Sequence, residues 1–388
     1  MIQTLALLLD AYRELNSKKM FWIVLVLSLL IVVAMACIGI DERGISILVW
    51  HIDAPVFNTK VISAATFYKN IIFLPVGMTI WLTWAATILA LISTASIIPD
   101  FVSGGAVELT LSKPIGRLRL FLTKYATGLL FVTLQVAVFA LGSFLVIGIR
   151  GRSWEPAIFL SVPLVLAFFS YLYSISALIG LVTRSTIAAI LLTGLIWGMV
   201  FLVHFGESGV LLPLTVTQRQ RIESVQKDLE KKDANIQKLT EKLAKAKEDP
   251  NGDAQREQGI LDGAQLLRAN KARRLEELEH DLRLMETVHS WFYGVKTVLP
   301  KTSETMGILE HRLVKMSDLE GLQKAEQSRR GNVDLGDSDD THIDPRRIGE
   351  DVDRELRSRS IGWILASSFA FEALVLGIAA WIFCRRDF

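Results

Sequence analysis

Residues 186–203 read Thr-Ile-Ala-Ala-Ile-Leu-Leu-Thr-Gly-Leu-Ile-Trp-Gly-Met-Val-Phe-Leu-Val, which is eighteen residues without a charge. A helix of that length can cross about 30 Å of hydrocarbon. Five other stretches have the same character: 20–40, 71–98, 126–149, 157–182 and 361–384. The only charged residue within the six stretches is Glu372. The sequence therefore predicts an all-α membrane protein with six transmembrane helices.

The charges of this 388-residue chain lie mostly between the fifth and sixth stretches. Residues 206–360 contain 27 of the 42 Lys and Arg and 30 of the 40 Asp and Glu. The difference, 27 − 30 = −3, argues against a basic nucleic-acid-binding module. The chain thus combines an apolar membrane part, which is typical neither of a soluble enzyme nor of a disordered protein, with one polar insert.

The short loops give an orientation, because Lys and Arg accumulate in short cytoplasmic loops. With the N-terminus inside, ten such residues are cytoplasmic: Arg13, Lys18, Lys19, Lys113, Arg117, Arg119, Lys124, Arg184, Arg385 and Arg386. Five are then outside: Arg43, Lys60, Lys69, Arg150 and Arg152. We expect a plasma (inner) membrane protein with both termini in the cytoplasm and the 206–360 insert outside it.

The predicted organisation has four parts. Residues 1–19 form an amphipathic helix in the membrane interface, although a cytoplasmic extension of the first span is an alternative. Residues 20–205 contain spans one to five, with a cytoplasmic segment at 99–124. Residues 206–360 are the extracytoplasmic insert, and residues 361–388 contain span six and a cytoplasmic tail.

The insert has the pattern of an antiparallel coiled-coil hairpin at about 218–288. Heptad positions a and d of the first arm are apolar apart from Lys232: Ile222, Val225, Leu229, Ile236, Leu239, Leu243 and Ala246. The second arm repeats the pattern, with Arg268 and Lys271 interrupting it: Leu261, Ala264, Leu275, Leu278, Leu282 and Met285. Residues 249–253, Asp-Pro-Asn-Gly-Asp, predict a turn between the arms. A single exposed helix with a partner elsewhere is the alternative.

No catalytic motif is present in the sequence. It lacks a P-loop, HExxH, GxSxG and CxxC, and its six His have no metal-ligand spacing. We therefore expect no enzyme activity, metal or cofactor in this chain. Glu372 has two interpretations, an intramembrane functional residue or a hydrogen-bonded tie between helices. Gly194 and Gly198 form a GxxxG pattern, which is weak evidence for a helix-pairing face.

The segment between spans two and three has the features of a docking surface. Pro99 can end span two, Gly104 and Gly105 permit a turn, and an apolar stretch at 107–111 is followed by Lys113 and Pro114. Basic residues continue to Lys124. A folded, basic and partly apolar loop fits a protein-binding surface better than a tether.

With these features the chain resembles the permeases of ABC-2 type ABC transporters. The resemblance includes Arg13-Glu14-Leu15 and the region 298–303, and it covers about 1–205 and 290–388, whereas the hairpin is additional. The segment motif is matched by nine residues: Glu108, Leu109, Leu111, Ser112, Lys113, Pro114, Ile115, Arg117 and Lys124. Gly105-Ala106 replaces the usual Gly-Thr pair, a mild departure.

The resemblance implies a coupling mechanism. Two permease subunits, identical or different, would pair with two copies of a separate ABC ATPase that binds ATP and Mg. The segment would dock on that ATPase, and its residues of interest are Pro99, Gly104, Gly105, Glu108, Leu109, Leu111, Lys113, Pro114 and Arg117. The positive-inside rule alone is the other explanation of the segment's cations.

Two functions remain open from the sequence. The first is an export (efflux) permease whose outer hairpin contacts substrate or an envelope partner. The second is a mechanical transmitter, in which ATPase cycles move the coiled coil and thereby regulate an extracytoplasmic partner without transport. In both, the chain contacts membrane lipid and no nucleic acid.

Overall fold

A computed structural model describes residues 19–48, 50–53, 59, 62–103, 116–248, 253–313, 345–357 and 359–386. Within these residues, six helices are long and apolar enough to cross a membrane: Lys19–Cys37, Ala64–Val102, Arg117–Arg150, Pro156–Thr183, Thr186–Lys247 and Ile361–Arg385. A helix is the form expected of these stretches, because hydrocarbon cannot bond a free backbone N–H or C=O. The prediction of an all-α membrane protein with six spans is confirmed.

The helices are labelled in chain order. Helix α1 is Lys19–Cys37, and α2 consists of the consecutive segments Ala64–Thr66, Phe67–Ala86 (a π-helix) and Thr87–Thr94. The others are α3 Ile97–Ser103, α4 Arg117–Arg150, α5 Ser161–Thr183, α6 Thr186–His204, α7 Leu212–Glu248, α8 Ala254–Val298, α9 Thr302–Leu313, α10 Pro345–Arg357 and α11 Ile361–Arg385. A 3₁₀ turn, Pro156–Leu160, precedes α5, and a π-helix, Phe205–Leu211, joins α6 to α7.

A small antiparallel sheet follows α1, and it was not predicted from the sequence. Strands β1 Ile38–Ile40, β2 Gly44–Ile47 and β3 Trp50–Asp53 pair in the order β1-β2-β3. Span one therefore ends at Cys37, earlier than the predicted 20–40. The turn into β2 depends on Gly44, whose φ of 150° is open to glycine and strained for other residues. The apolar residues of β1 continue the apolar run of α1, so the sequence pattern does not show where the helix ends and the strand begins.

The membrane helices pack around a core rich in aromatic side chains. The largest fully buried residues on α4, α5 and α11 include Phe121, Phe131, Phe139, Phe168, Phe169 and Phe383. Gly128 of α4 allows one close approach of this kind, because a Cβ there would lie 2.5 Å from the ring of Tyr173 on α5. Such contacts fix the spacing of α4 and α5.

The chain divides into two compact units. The first contains Met1–Phe201, Val298–Val333 and Ser360–Phe388, and the second contains Leu202–Thr297 and Asp334–Arg359. The second unit differs from the predicted insert at 206–360, because Val298–Val333 belongs to the first unit.

Within the second unit, α7 and α8 run antiparallel and are joined by ion pairs. Asp228 pairs with Lys271, and Asp233 Oδ1 lies 2.8 Å from Arg268 Nε. Nearer the chain ends of the hairpin, Arg219 Nη2 lies 2.9 Å from Glu286 Oε1. Lys271 and Arg268 are the two residues that interrupt the apolar pattern of the second arm, so their partners on α7 explain the interruption.

The apolar heptad positions of both arms are the shielded ones. On α7, Ile222, Val225, Leu229 and Leu243 are buried, and on α8 Leu261 is buried. The remaining apolar heptad residues are half-buried. Knobs-into-holes coiled-coil packing and the domain boundaries stay predictions. The interfacial helix 1–19 and the turn 249–253 lie, except for Lys19 and Asp253, outside the described residues.

Candidate functional site

The predicted coupling segment enters and leaves the described structure at two helices. Pro99 lies in α3, which ends at Ser103, and Arg117 begins α4. The intervening predicted residues are outside the described part of the chain: Gly104, Gly105, Glu108, Leu109, Leu111, Lys113 and Pro114. The site is therefore built from what the two ends of the segment contact.

Helix α3 is seated directly on the helix bundle. The ring of Pro99 lies against Gly180 of α5, where a Cβ would come within 2.9 Å of Pro99 Cγ. The ring of Phe101 stacks on Phe383 of α11 at 6.3 Å between centroids, and Lys124 Nζ lies 5.5 Å above the Phe101 ring. The first end of the segment is thus held by α4, α5 and α11.

Arg117, at the other end of the segment, binds the last turn of α11. Its Nη1 donates to the carbonyl oxygens of Cys384, at 3.2 Å, and Arg386, at 3.0 Å. Carbonyls at a helix C-terminus lack intrahelical partners and carry partial negative charge, so a guanidinium there is favourable. Arg386 Nη1 in turn donates to Leu181 O at 2.7 Å, near the end of α5. Two arginines thereby link the start of α4 to the ends of α5 and α11.

Glu372 joins the same three helices inside the bundle. It lies on α11 and is buried, and its carboxyl oxygens are 2.9 Å from Tyr125 Oη on α4 and 2.7 Å from Ser170 Oγ on α5. The Tyr125 ring also stacks on Tyr173 at 4.9 Å between centroids. Among the described residues, no Lys, Arg or His forms an ion pair with Glu372. Glu372 and Arg117 therefore contact the same set of helices. Along α11, Glu372 lies roughly 18 Å from Cys384, whose carbonyl Arg117 contacts, by the rise of an α-helix.

A model of the family described as ABC-2 family transporter protein matches residues 9–307 of this chain. The chain belongs to the ABC-2 transporter family. Members of the family are membrane-spanning transporter subunits, generally without enzyme activity, that work with an ABC ATPase and pair with a second membrane subunit. No curated protein and no solved structure shows significant similarity to the chain. In the described residues, no three His, Cys, Asp or Glu could together hold a metal ion.

This ABC-2 protein also contains a buried ion cluster that sequence reasoning missed. Glu207, in the π-helix Phe205–Leu211, has a fully buried side chain. It pairs with Lys296 of α8, which is 1% exposed, and with Arg359, whose side chain is 14% exposed. His289 Nε2 lies 3.3 Å from Glu207 Oε1. We name Glu207, Lys296, Arg359 and His289 the Glu207 cluster.

The Glu207 cluster lies where the insert meets the spans in the chain. Glu207 follows the apolar 186–203 stretch, Lys296 precedes α9, and Arg359 precedes α11. Burial opposes ionisation of the Glu207 carboxyl, but hydrogen bonds from Arg359, Lys296 and Ser208 outweigh it and lower its pKa from 4.5 to about 2. A signal was available in the sequence, because Glu207 is the only Asp, Glu, Lys or Arg between Arg184 and Arg219.

The GxxxG face of this ABC-2 protein is open. A Cβ at Gly194 or Gly198 would meet no atom of the described residues within 4 Å. The two glycines therefore leave a shallow strip on α6 that another helix can approach.

Proposed function

We propose that this ABC-2 protein is the permease subunit of an ATP-driven exporter that docks on its ATPase through the 99–124 segment. The contact between Arg117 and the carbonyls at the end of α11 carries the proposal. Any displacement of the segment moves Arg117, and Arg117 is bonded to α11 and, through Arg386, to α5. A docked ATPase thus has a direct path to three of the six spans.

The same end of the bundle supports the proposed orientation. Basic residues stand where α4 begins and where α5 and α11 end: Arg117, Arg119, Lys124, Arg184, Arg385 and Arg386. By the positive-inside rule we place this end in the cytoplasm of the plasma membrane, together with both termini. The 206–360 insert then lies outside the cytoplasm. The other proposed domains are the interfacial helix 1–19, spans one to five at 20–205, and span six with its tail at 361–388. ATP and Mg are bound by the ATPase, and a second permease subunit completes the assembly.

We assign Glu372 to the tie between α4, α5 and α11. An ionised carboxylate without a cation is costly in hydrocarbon, whereas a neutral one is not. The two hydroxyls make four contacts, with the two carboxyl oxygens of Glu372 and with the carbonyls of Ser170 and Ala167, so their own hydrogens fill two of them and a proton on Glu372 fills a third. Glu372 would then keep the three helices together as they move.

The test of the coupling proposal is ATPase stimulation in reconstituted complexes. Arg117→Ala removes the bonds to Cys384 O and Arg386 O, and we expect stimulation to fall at least about tenfold, the equivalent of roughly 1.4 kcal/mol of lost coupling. Arg385→Ala is the matched control, because it removes the same charge from an exposed side chain at the same end of the bundle, outside the 99–124 segment. Equal stimulation in both variants would remove the basis of the proposal.

A second candidate, the mechanical transmitter, is favoured by one observation. The fifth span continues without a break into α7, in a helix of 62 residues, Thr186–Lys247. The transmitter proposal is that movement of this span reaches α7 along this helix. Replacing residues 218–286 with a short linker separates the two candidates. If the spans themselves carry the substrate, the variant keeps ATPase-dependent export, whereas in a transmitter it keeps ATPase stimulation and loses regulation of an extracytoplasmic partner.

A further inference from the structure

Helix α8 exposes a stripe of large apolar side chains. Leu284, Val288, Trp291 and Val295 are 56%, 44%, 74% and 52% exposed. Their spacing along the chain is four, three and four residues, so they fall on one face of the helix. We name these four residues the outer stripe. Scattered exposed hydrophobics need no explanation, but an aligned set in a polar insert does.

The outer stripe is distinct from the face that α8 turns toward α7. The α7-facing residues are all half-buried: Leu275, Leu278, Leu282 and Met285. At 100° per residue, the centre of the outer stripe lies about 130° around the helix from them. Helix α8 therefore carries two apolar seams, of which α7 covers one.

We propose that the outer stripe pairs with the outer stripe of a second copy of this chain, in a parallel two-stranded contact. The spacing of 3.5 residues is that of a coiled-coil seam, with Val288 and Val295 at position a and Leu284 and Trp291 at position d. A β-branched residue at a favours two strands in parallel coiled coils. The inference rests on the proposed pairing of two permease subunits and names a surface through which they meet.

The flanks of the outer stripe fit a self-complementary contact. In a two-fold interface each residue meets its own copy or a near neighbour, so charges of one sign beside the seam would repel. The flanking positions here are uncharged: Met285, Thr287, Phe292 and Gly294. A Cβ at Gly294 would meet no atom of the described residues, so a second helix has room on that side. A membrane-surface helix instead has a broad apolar face flanked by Lys and Arg.

The area of the outer stripe suits an added contact rather than a complete interface. From the exposed fractions, the four side chains present roughly 400 Å² of apolar surface, within the range of functional patches. A stable interface buries about 800 Å² on each partner. The stripe therefore supplies about half of that area, and the membrane helices of the paired subunits supply the remainder.

Single-cysteine crosslinking in membranes tests the proposal. In a Cys37→Ser, Cys384→Ser background, Val288→Cys and Val295→Cys place one thiol each on the stripe. At position a of a parallel pair the two Cα atoms come within the roughly 4.4–6.8 Å that a disulfide requires. Ser290→Cys is the matched control, since Ser290 is exposed on the same turns but about 130° around the helix. With copper phenanthroline and oxygen as oxidant, we expect at least tenfold more crosslinked dimer at 288 and 295 than at 290.

Two further readouts in the same membranes separate the ways to fail. Co-purification of two differently tagged copies, without oxidant, reports subunit pairing alone. Tags that co-purify without excess crosslinking at 288 and 295 overturn the outer-stripe contact and leave the pairing intact. Absence of both co-purification and crosslinking overturns the pairing together with the contact. A third readout attaches an environment-sensitive dye to the thiol of the Val288→Cys variant. If spin-labelled lipids quench the dye and no crosslinked dimer forms, the stripe lies on the membrane surface and the proposal is overturned.

Discussion

Replacing Glu207 with glutamine tests the Glu207 cluster while keeping the shape of the side chain. The substitution removes the negative charge that faces Lys296, which is 1% exposed, and Arg359, which is 14% exposed. Removing one partner of a buried ion pair leaves an uncompensated charge and costs about 3–5 kcal/mol. Glutamine still accepts a hydrogen bond, so we expect the lower part of this range.

The quantity to measure is the free energy of local opening of the segments that the Glu207 cluster joins, rather than the free energy of global unfolding. A loss of about 3 kcal/mol corresponds to an increase of roughly a hundredfold in hydrogen exchange of the amides that open with the cluster. The measurement is hydrogen exchange with mass spectrometry of the intact protein in nanodiscs, for peptides that cover 205–211 and 289–298. Both segments should accelerate together, since Glu207 joins them.

Glu223→Gln is the control for Glu207→Gln. Glu223 forms an exposed i,i+4 pair with Lys227 at 2.6 Å, and solvent screens such a pair, so its loss should change exchange little. The double variant Glu207→Gln, Lys296→Gln supplies the second check, because removing the orphaned cation should recover part of the loss. Equal exchange in Glu207→Gln and Glu223→Gln, or no recovery in the double variant, would refute the reasoning.

Three other predictions concern separate parts of the molecule. Gly128→Ala places a Cβ about 2.5 Å from the Tyr173 ring and should cost about 1–3 kcal/mol by thermal unfolding in detergent. Gly377→Ala, where no atom of the described residues lies within 4 Å, should be neutral, and equal unfolding midpoints for the two variants would contradict the close packing of α4 and α5. Glu372→Gln should keep both stability and ATPase stimulation, and Glu372→Leu should lose both; loss of stimulation alone in Glu372→Gln would point to a functional carboxyl instead of a tie. The hydrogen bond from Lys271 lowers the pKa of Asp228 in the folded hairpin. The pair therefore stabilises the hairpin fully above the unfolded-state pKa of about 3.9, and this stabilisation is lost as the pH falls through the lower folded-state pKa. Pepsin cleavage within 222–285 should therefore rise between about pH 4 and pH 2, more in the wild type than in Asp228→Asn, which is already cleaved faster at about pH 4.

The spans were predictable because hydrocarbon leaves few choices. A charge-free run of eighteen residues must form a helix there, and periodicity places the shielded residues of α7 and α8 equally well. The strands β1 to β3 were missed because Ile38–Ile40 continues an apolar run, and only pairing with β2 distinguishes it from helix. Local sequence cannot reveal such a partner.

The candidate site was predictable only in part. The motif around Lys113 and Arg117 indicated where coupling occurs, but not that Arg117 bonds the end of α11, which is 267 residues away in the chain. Glu207 was missed for the same reason. A lone carboxylate acquires its partners, Lys296 and Arg359, only when distant segments fold together, and no spacing rule anticipates that.

The combined length of α7 and the π-helix before it has a mechanical consequence. At 1.5 Å per residue, the 42 residues from Glu207 to Glu248 form a lever arm about 60 Å long. A tilt of about 5° at its base displaces its tip by about 5 Å, the length of one helical turn. Gain of this kind acts on thermal motion as well as on driven motion, so displacement grows along α7 towards Glu248. A partner bound at the far end of α7 would be displaced further, but with less force, than a partner bound near Glu207.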